Sequence, residues 1–160
     1  MCLKYDKAST KKFWNTKGRK NKDWCWAYKI YSYFDGKLYP IYTVVHQDYE
    51  PVTPGYIISN REYKSPFVDW KDSWNDDEIH RGIHVFTDSK RVGYYKQNRF
   101  RVVSFVTVRV KCFKKDFVAS SDTDRKNESW KLKGNEAVFM KIFLPKEEYE
   151  AALKRKKEKK

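Results

Sequence analysis

The sequence predicts an α+β fold made mostly of antiparallel strands, with one or two short helices and a basic helix at the C-terminus. Aromatic residues make up 18% of the 160 residues, and Val and Ile are frequent while Leu and Ala are scarce. β-Branched and aromatic residues favour strands over helices. An Asp-Gly pair at 35–36 and an alternation of apolar residues at 99–113 add the local signals of a hairpin and a long strand.

The first predicted element is a β-hairpin. Residues 26–34 and 37–45 are both rich in strand-forming side chains, and only Asp35 and Gly36 separate them. A type I′ turn needs a positive φ at both central residues, which Asp and Gly tolerate. Pro40 has no amide proton to donate to a ladder, so the second strand is expected at an edge or at a bulge.

The middle of the chain predicts shorter elements. Residues 56–59 favour a short strand, and residues 69–78 favour a loop because they hold five acidic side chains and two Trp. Residues 79–86 predict a further strand. Residues 87–96 predict a short helix, because Thr, Asp and Ser at its start are good N-cap residues.

Residues 99–113 give the clearest strand signal. The even positions from Phe100 to Cys112 are almost all apolar and predict a buried face. The odd positions place four cations around Phe105 on the opposite face.

The C-terminal part predicts two further strands and a helix. Residues 117–120 favour a short strand and residues 121–135 a polar loop. Residues 136–144 are apolar on both faces, so a central strand is expected. A helix follows Pro145, with Glu in its first turn and Lys and Arg in its last turn, as the helix dipole favours.

The charge distribution predicts one domain, residues 1–160, with basic ends. The formal net charge is +14. Residues 1–22, the expected N-terminal arm, hold eight Lys and Arg against one Asp, and residues 154–160, the expected tail, hold six against one Glu. The α+β core at 23–153 is therefore nearly neutral. Basic arms attract polyanions, meaning nucleic acid or an acidic protein surface, or they serve only as soluble tails.

Composition also indicates the compartment. The chain has no apolar run long enough to span a membrane and no secretory leader after Met1, so no membrane partner is expected. Cys2, Cys25 and Cys112 are widely spaced and odd in number, which does not suit a disulfide framework or a zinc site. A reducing intracellular location, the cytoplasm, is the expectation.

Several metal and nucleotide motifs are absent or incomplete. His80 and His84 have the spacing of a helical zinc pair, but in a strand that spacing separates them by roughly 13 Å. The acidic run at 122–128 lacks the Gly and the last Glu of a calcium loop. No phosphate-binding Gly loop and no nucleophile elbow occur. No metal and no cofactor are predicted.

Cations that alternate with an aromatic ring on a strand can follow a phosphate backbone and stack bases. The alternative is a solvated face, or one covered by a helix whose Glu147, Glu148 and Glu150 pair with the cations. The predicted nucleic-acid-binding residues lie on this strand and in the two basic ends. They are Lys11, Lys12, Lys17, Arg19, Lys20, Arg99, Arg101, Phe105, Arg109, Lys111, Lys154, Arg155, Lys156 and Lys157.

A resemblance to viral proteins rests on short motifs. Tyr-Lys at 28–29, Gly-Lys-Leu-Tyr at 36–39 and Arg-Gly-Ile-His-Val-Phe at 81–86, followed by a short helix and a Val-rich strand, occur in that order. This arrangement resembles small uncharacterised proteins of phages and large DNA viruses over residues 26–112. The resemblance implies a viral accessory protein, such as one that blocks a host defence, acting in the host cytoplasm.

A second resemblance suggests an enzyme. A strand with a His, a short helix, a central strand and a late strand with a Glu follow one another, and this order is similar to that of the ADP-ribosyltransferase fold. The matching positions are His84 and Glu136, although the sequence does not supply that family's full triad. This resemblance implies NAD as the cofactor.

The leading prediction is a non-enzymatic, intracellular basic binding protein that engages nucleic acid or a nucleic-acid-handling complex. The alternative is an ADP-ribosyltransferase-like or nucleotide-binding enzyme that uses His84 and Glu136.

Overall fold

The computed structural model describes residues 3–4, 6–40, 50–59, 78–79, 82–89, 104–121 and 136–158. In chain order its elements are β1 (Leu3–Lys4), α1 (Lys7–Lys12), β2 (Trp24–Phe34), β3 (Lys37–Pro40), β4 (Gly55–Ile58), β5 (Glu78–Ile79), β6 (Ile83–Phe86), β7 (Phe105–Phe113), β8 (Phe117–Ser121), β9 (Glu136–Phe139), β10 (Lys141–Leu144) and α2 (Lys146–Lys157). Two short 3₁₀ turns follow α1 and β7. The predicted α+β class, with the sheet dominant, is confirmed.

Eight of these strands form one antiparallel sheet. Its order is β4-β10-β7-β2-β6-β9-β8, and β3 pairs with the end of β2 beside this path. β9 and β10 are consecutive in the chain but lie four places apart in the sheet, so the sheet has to curl. The expected single strand at 136–144 therefore breaks at Met140, whose backbone instead bonds to Asp116 and Ser59.

The predicted hairpin is present. Asp35 has φ of 45° and Gly36 has φ of 73°, the two positive values that a type I′ turn requires. β2 and β3 pair from Phe34–Lys37 to Tyr31–Pro40. Residues 41–45, the rest of the predicted second strand, lie outside the described residues.

The two faces of the central strands differ as the alternation predicts. Val106, Val108, Val110 and Cys112 of β7 are buried, and Ala27 of β2 joins them. We call this side of the sheet the core face and the opposite side the outer face. The two described cysteines, at 25 and 112, are free thiols on the core face.

The N-terminal basic segment is folded against the core. Asp6 caps α1 through the Ala8 amide at 2.9 Å, and the 3₁₀ turn after α1 buries Phe13 and Trp14. The Phe13 ring stacks on Phe117 with centroids 4.6 Å apart. The helix and the turn at residues 7–15 thus pack against the core, although the composition of this segment is that of an arm.

Side chains close two edges of the sheet. Thr10 Oγ1 donates to the Ser120 carbonyl and accepts from the Ser120 amide, both at 3.1 Å, so it takes the place of a ladder partner for β8. β10 pairs with β7 only at residues 111 and 112. α2 lies along the part of β7 that does not pair with β10. There, Arg155 Nη2 donates to the Thr107 carbonyl at 3.2 Å. An unpaired strand edge is a site of unwanted association, which both contacts prevent.

α2 has the charges and the apolar seam that the sequence predicts. Glu147 and Glu148 lie in its first turn and four cations lie in its last turn. Ala152 is fully buried, and Tyr149 and Leu153 pack against the same core. Among the described residues, no helix is both long and apolar enough to cross a membrane.

The expected strand at 79–86 is divided, and Gly82 gives the physical reason. β5 pairs with β1, whereas β6 pairs with β9 and β2. Gly82 has φ of +87°, which is not extended, and a Cβ there would lie 2.5 Å from Val138 Cγ1. Of the expected helix at 87–96, only residues 87–89 lie within the described part of the chain.

We expect Gly82→Ala to lower the free energy of unfolding by about 2–5 kcal/mol, from the positive φ and the clash with Val138 together. Gly18→Ala is the matched control, because Gly18 has φ of +92° but an added Cβ meets nothing within 4 Å. It should lose only about 1–2 kcal/mol. Urea titration measures both, and equal losses would contradict the role of the close contact.

Candidate functional site

The outer face carries aromatic rings and cations in register across four neighbouring strands. Trp26 pairs with Lys111, Lys111 with Phe143, and Phe143 with Tyr56, so one row crosses β2, β7, β10 and β4. Side chains on one face recur every second residue, which places Trp24, Arg109 and Lys141 beside this row. We call the set the aromatic–cationic face: Trp24, Trp26, Tyr56, Ile58, Arg109, Lys111, Phe113, Lys141 and Phe143.

The cations of this face lie over the rings. Arg109 Cζ is 4.2 Å from the centroid of the Trp26 ring. Lys111 Nζ lies 5.1 Å from the Trp24 ring and 5.3 Å from the Trp26 ring. Lys141 Nζ lies 4.2 Å from the Tyr56 ring. All these distances are within the range of a cation–π contact, so rings and charges form one continuous surface.

Large apolar groups on this face reach solvent. The exposed fraction is 39% for Trp24, 60% for Tyr56 and 61% for Ile58. Exposed apolar side chains are ordinary when scattered, but a contiguous set bordered by charges marks a binding surface.

One cation of the face is already neutralised. Glu148 Oε1 of α2 accepts from Arg109 Nε at 2.9 Å and from Arg109 Nη2 at 2.6 Å. The alternative of a covering helix with pairing acids is thus correct for this one residue. Lys111 and Lys141 form no ion pair with a carboxylate in the described part of the chain, so their charges remain available.

Phe105 does not belong to the exposed surface. The sequence predicts it as a stacking ring among the cations, but its exposed fraction is only 9%. It pairs with Ser32, and Ile30 of the same face is also buried. Alternation gives the face on which a side chain lies, not whether another segment covers that face, so the prediction of an exposed ring is wrong.

The predicted N-terminal contacts divide into two groups. Lys11, Lys12, Lys17 and Lys20 are exposed. Arg19 Nη1 instead donates to the Phe13 carbonyl at 3.2 Å, and its guanidinium lies 4.1 Å from the Phe13 ring centroid. Arg19 therefore holds the turn that follows α1, and its availability as a phosphate contact is not supported.

The predicted C-terminal contacts lie in the last turn of α2. Arg155 donates to the Thr107 carbonyl of β7, and Lys156 donates to the hydroxyl of Ser104, the residue before β7. Lys154 pairs with Glu158 at 3.8 Å, and Lys157 is exposed. Arg99 and Arg101 lie outside the described residues.

Most of the aromatic–cationic face was not predicted from the sequence. Trp24 and Trp26 alternate with the buried Cys25 and Ala27, so the period-2 pattern already indicated two Trp on the solvent side of β2. No comparable signal existed for Tyr56 and Lys141, because their neighbours follow from a pairing distant in the sequence.

The two residues of the predicted enzyme alternative share one side of the sheet. His84 pairs with Val138 and Phe86 with Glu136, so His84 and Glu136 both lie on the outer side of adjacent strands. Both side chains are buried. In the described residues, no group of three His, Cys, Asp or Glu could hold a metal ion. A catalytic role for this pair stays a prediction.

Lys29 is a half-buried charge that the sequence did not indicate. Its Nζ donates to the His84 carbonyl at 2.8 Å, just where the β2–β6 ladder ends after the Tyr28–Phe86 pair. Desolvation lowers the pKa of Lys29 to about 8, although Cys112 and Glu136 favour its charged form. The ammonium thus continues the contact between two strands that no longer pair.

Comparisons with protein families, with curated proteins and with solved structures give no match for this chain. The resemblances to viral proteins and to ADP-ribosyltransferases therefore stay predictions. Since a fold alone does not define an activity, the functional argument depends on the geometry of the site.

We expect the stability difference between Lys29→Met and the natural protein to depend on pH above about 8. The pKa of Lys29 is lower in the folded protein than the ordinary 10.5, so the folded state releases this proton first. Below about pH 8 Lys29 is charged in both the folded and the unfolded state, and the folded protein carries the full desolvation cost of that charge. Between about pH 8 and 10.5 the folded state loses the proton while the unfolded state keeps it, so this cost falls and the natural protein gains stability. The stability of the natural protein relative to Lys29→Met should therefore rise over this range.

The measurement is urea unfolding of both chains at several pH values. Burial raises the pKa of Cys25 to about 11. Cys25 is present in both chains, so its contribution cancels in the difference. Lys37→Met, at an exposed position, is the control for the loss of one lysine. Parallel profiles for Lys29→Met and the natural protein would show that Lys29 is not desolvated.

Proposed function

We propose that this protein binds nucleic acid through the aromatic–cationic face. The observation that carries the proposal is the row of Trp26, Lys111, Phe143 and Tyr56 across four strands, with ammonium groups over rings that reach solvent. Nucleic acid offers both complements of such a surface, because its phosphates attract the cations and its bases stack on the rings.

The charge around the face supports the same partner. The chain carries a net charge of +14, and a protein with this excess attracts polyanions. The Lys114 amide donates to the Asp23 carbonyl at 2.8 Å, which brings the basic turn before β2 next to the basic turn after β7. Lys22, Lys114 and Lys115 are exposed there, and we call them the basic rim.

An acidic protein is a weaker candidate for this face. Carboxylates would pair with Lys111, Lys141 and the basic rim, but they do not stack on exposed Trp and Tyr rings. The rings favour nucleic acid, and the cations alone do not decide between the two. Polyglutamate tested as a competitor separates them: if it displaced an oligonucleotide as well as a second oligonucleotide does, an acidic protein partner would be supported instead.

We expect binding of a fluorescent oligonucleotide to weaken as salt rises, with a slope of log K against log salt between about −3 and −6. Lys111→Gln should reduce the steepness by about 0.7 and weaken binding about fivefold at roughly 0.1 M salt, since one phosphate contact is lost. Fluorescence anisotropy at several salt concentrations measures both quantities.

Lys37→Gln is the matched control for this experiment. It removes one exposed lysine at the hairpin turn, the opposite end of β2 from Trp24. It should leave the slope nearly unchanged. If the intact protein shows no binding at low salt, the proposal is wrong; if both variants lose affinity equally, net charge and not this face accounts for the binding.

We expect Glu148→Gln to strengthen binding. Glu148 occupies the Arg109 guanidinium through two hydrogen bonds, and its loss leaves that cation available to a phosphate. One further phosphate contact is worth about a fivefold gain in affinity at roughly 0.1 M salt.

Glu147→Gln on the same helix is the control for Glu148→Gln. It makes the same change in net charge, but no contact of Glu147 with Arg109 exists in the described residues. An equal gain in both variants would mean that the effect is one of net charge, and an unchanged affinity in Glu148→Gln would mean that Arg109 does not contact the ligand.

A further inference from the structure

We propose that the aromatic–cationic face selects single-stranded over duplex nucleic acid, with bases stacked on Trp24 and Tyr56 and phosphates held by Lys111 and Lys141. This inference rests on the proposed function and adds the form of the ligand.

Two rings of the face are accessible to a base. Trp24 and Tyr56 lie at the two sides of the face, on β2 and β4, and keep 39% and 60% of their surfaces exposed. In a duplex the flat sides of the bases are covered by their neighbours, so only an unpaired strand can place a base on such a ring. Stacking of this kind tolerates every base because each has an aromatic face.

The width of the face favours a single strand over a duplex. Four neighbouring strands, β2, β7, β10 and β4, carry it, which gives about 14 Å between the outermost strand axes. The major groove is about 12 Å wide and admits a helix or a two-stranded ribbon. A sheet of this width does not enter the groove, so a duplex would contact this surface only through its phosphates. Four-stranded sheets that bind single strands hold two or three splayed bases.

The two lysines of the face lie close to its exposed rings. Lys111 Nζ lies 5.1 Å from the Trp24 ring, and Lys141 Nζ lies 4.2 Å from the Tyr56 ring. Each of these two rings thus has an ammonium group in cation–π contact with it. In a single strand a phosphate follows every base, so one nucleotide can use the ring and its neighbouring cation together.

The experiment compares an oligothymidylate of about 12 nucleotides, the corresponding oligouridylate, and a duplex of equal length, at one low salt concentration. Anisotropy titrations should give at least about tenfold tighter binding of the single strands. Stacking uses the base and not the sugar, so DNA and RNA single strands should bind within a few fold of each other.

Trp24→Ala tests the ring directly. It should weaken single-strand binding by about 5- to 100-fold and leave duplex binding within about twofold. Phe34→Ala is the matched control, because Phe34 is 72% exposed at the other end of β2 and should change neither affinity. Tyr56→Ala repeats the test on another strand if Trp24→Ala does not fold, as judged by its thermal unfolding.

The outcomes separate this inference from the proposed function. Equal affinity for single strands and duplex, or an equal loss for both in the folded Trp24→Ala protein, overturns the inference while the nucleic-acid function stands. No binding of any oligonucleotide by the intact protein overturns both. A single-strand preference that Trp24→Ala and Tyr56→Ala abolish, and Phe34→Ala does not, supports the inference.

Discussion

The antiparallel pairing of β2 with β7 is the constraint on which the rest of the structure depends. It runs from Trp24–Phe113 to Ser32–Phe105 and is the longest ladder among the described strands. Because side chains alternate along both strands, one register decides two things at once. It puts Ala27 against Val110 in the core, and it puts Trp26 against Lys111 on the surface proposed to bind a ligand.

Much of the fold was readable from the sequence because its signals are local. The hairpin at Asp35 and Gly36 follows from local backbone preferences, and the buried even positions of β7 follow from a period of two. The helix α2 was predicted from the acidic residues of its first turn, the basic residues of its last turn and the helical spacing of its apolar residues. Each of these signals lies within a short stretch of chain, so no knowledge of the tertiary structure is needed.

The candidate site was less accessible, because it is assembled from distant segments. Nothing near Tyr56 in the sequence indicates that β4 will lie beside β10 and bring Lys141 over its ring. The same limit explains the error for Phe105, whose face was predicted correctly and whose burial was not. Arg19 shows a further limit. The sequence does not distinguish an arginine that is free on the surface from one that hydrogen-bonds a carbonyl and packs on a ring, as Arg19 does with Phe13.

The contact between Thr10 and Ser120 has a consequence for how the basic N-terminal segment can be studied. That segment brings positive charge, but it also supplies the hydroxyl that completes the edge of β8 and two rings, Phe13 and Trp14, that fill the core. A chain shortened by these residues would present a bare strand edge and an incomplete interior, and self-association would follow. The electrostatic part of the segment is therefore separable only by replacing its exposed lysines one at a time, with the backbone left in place.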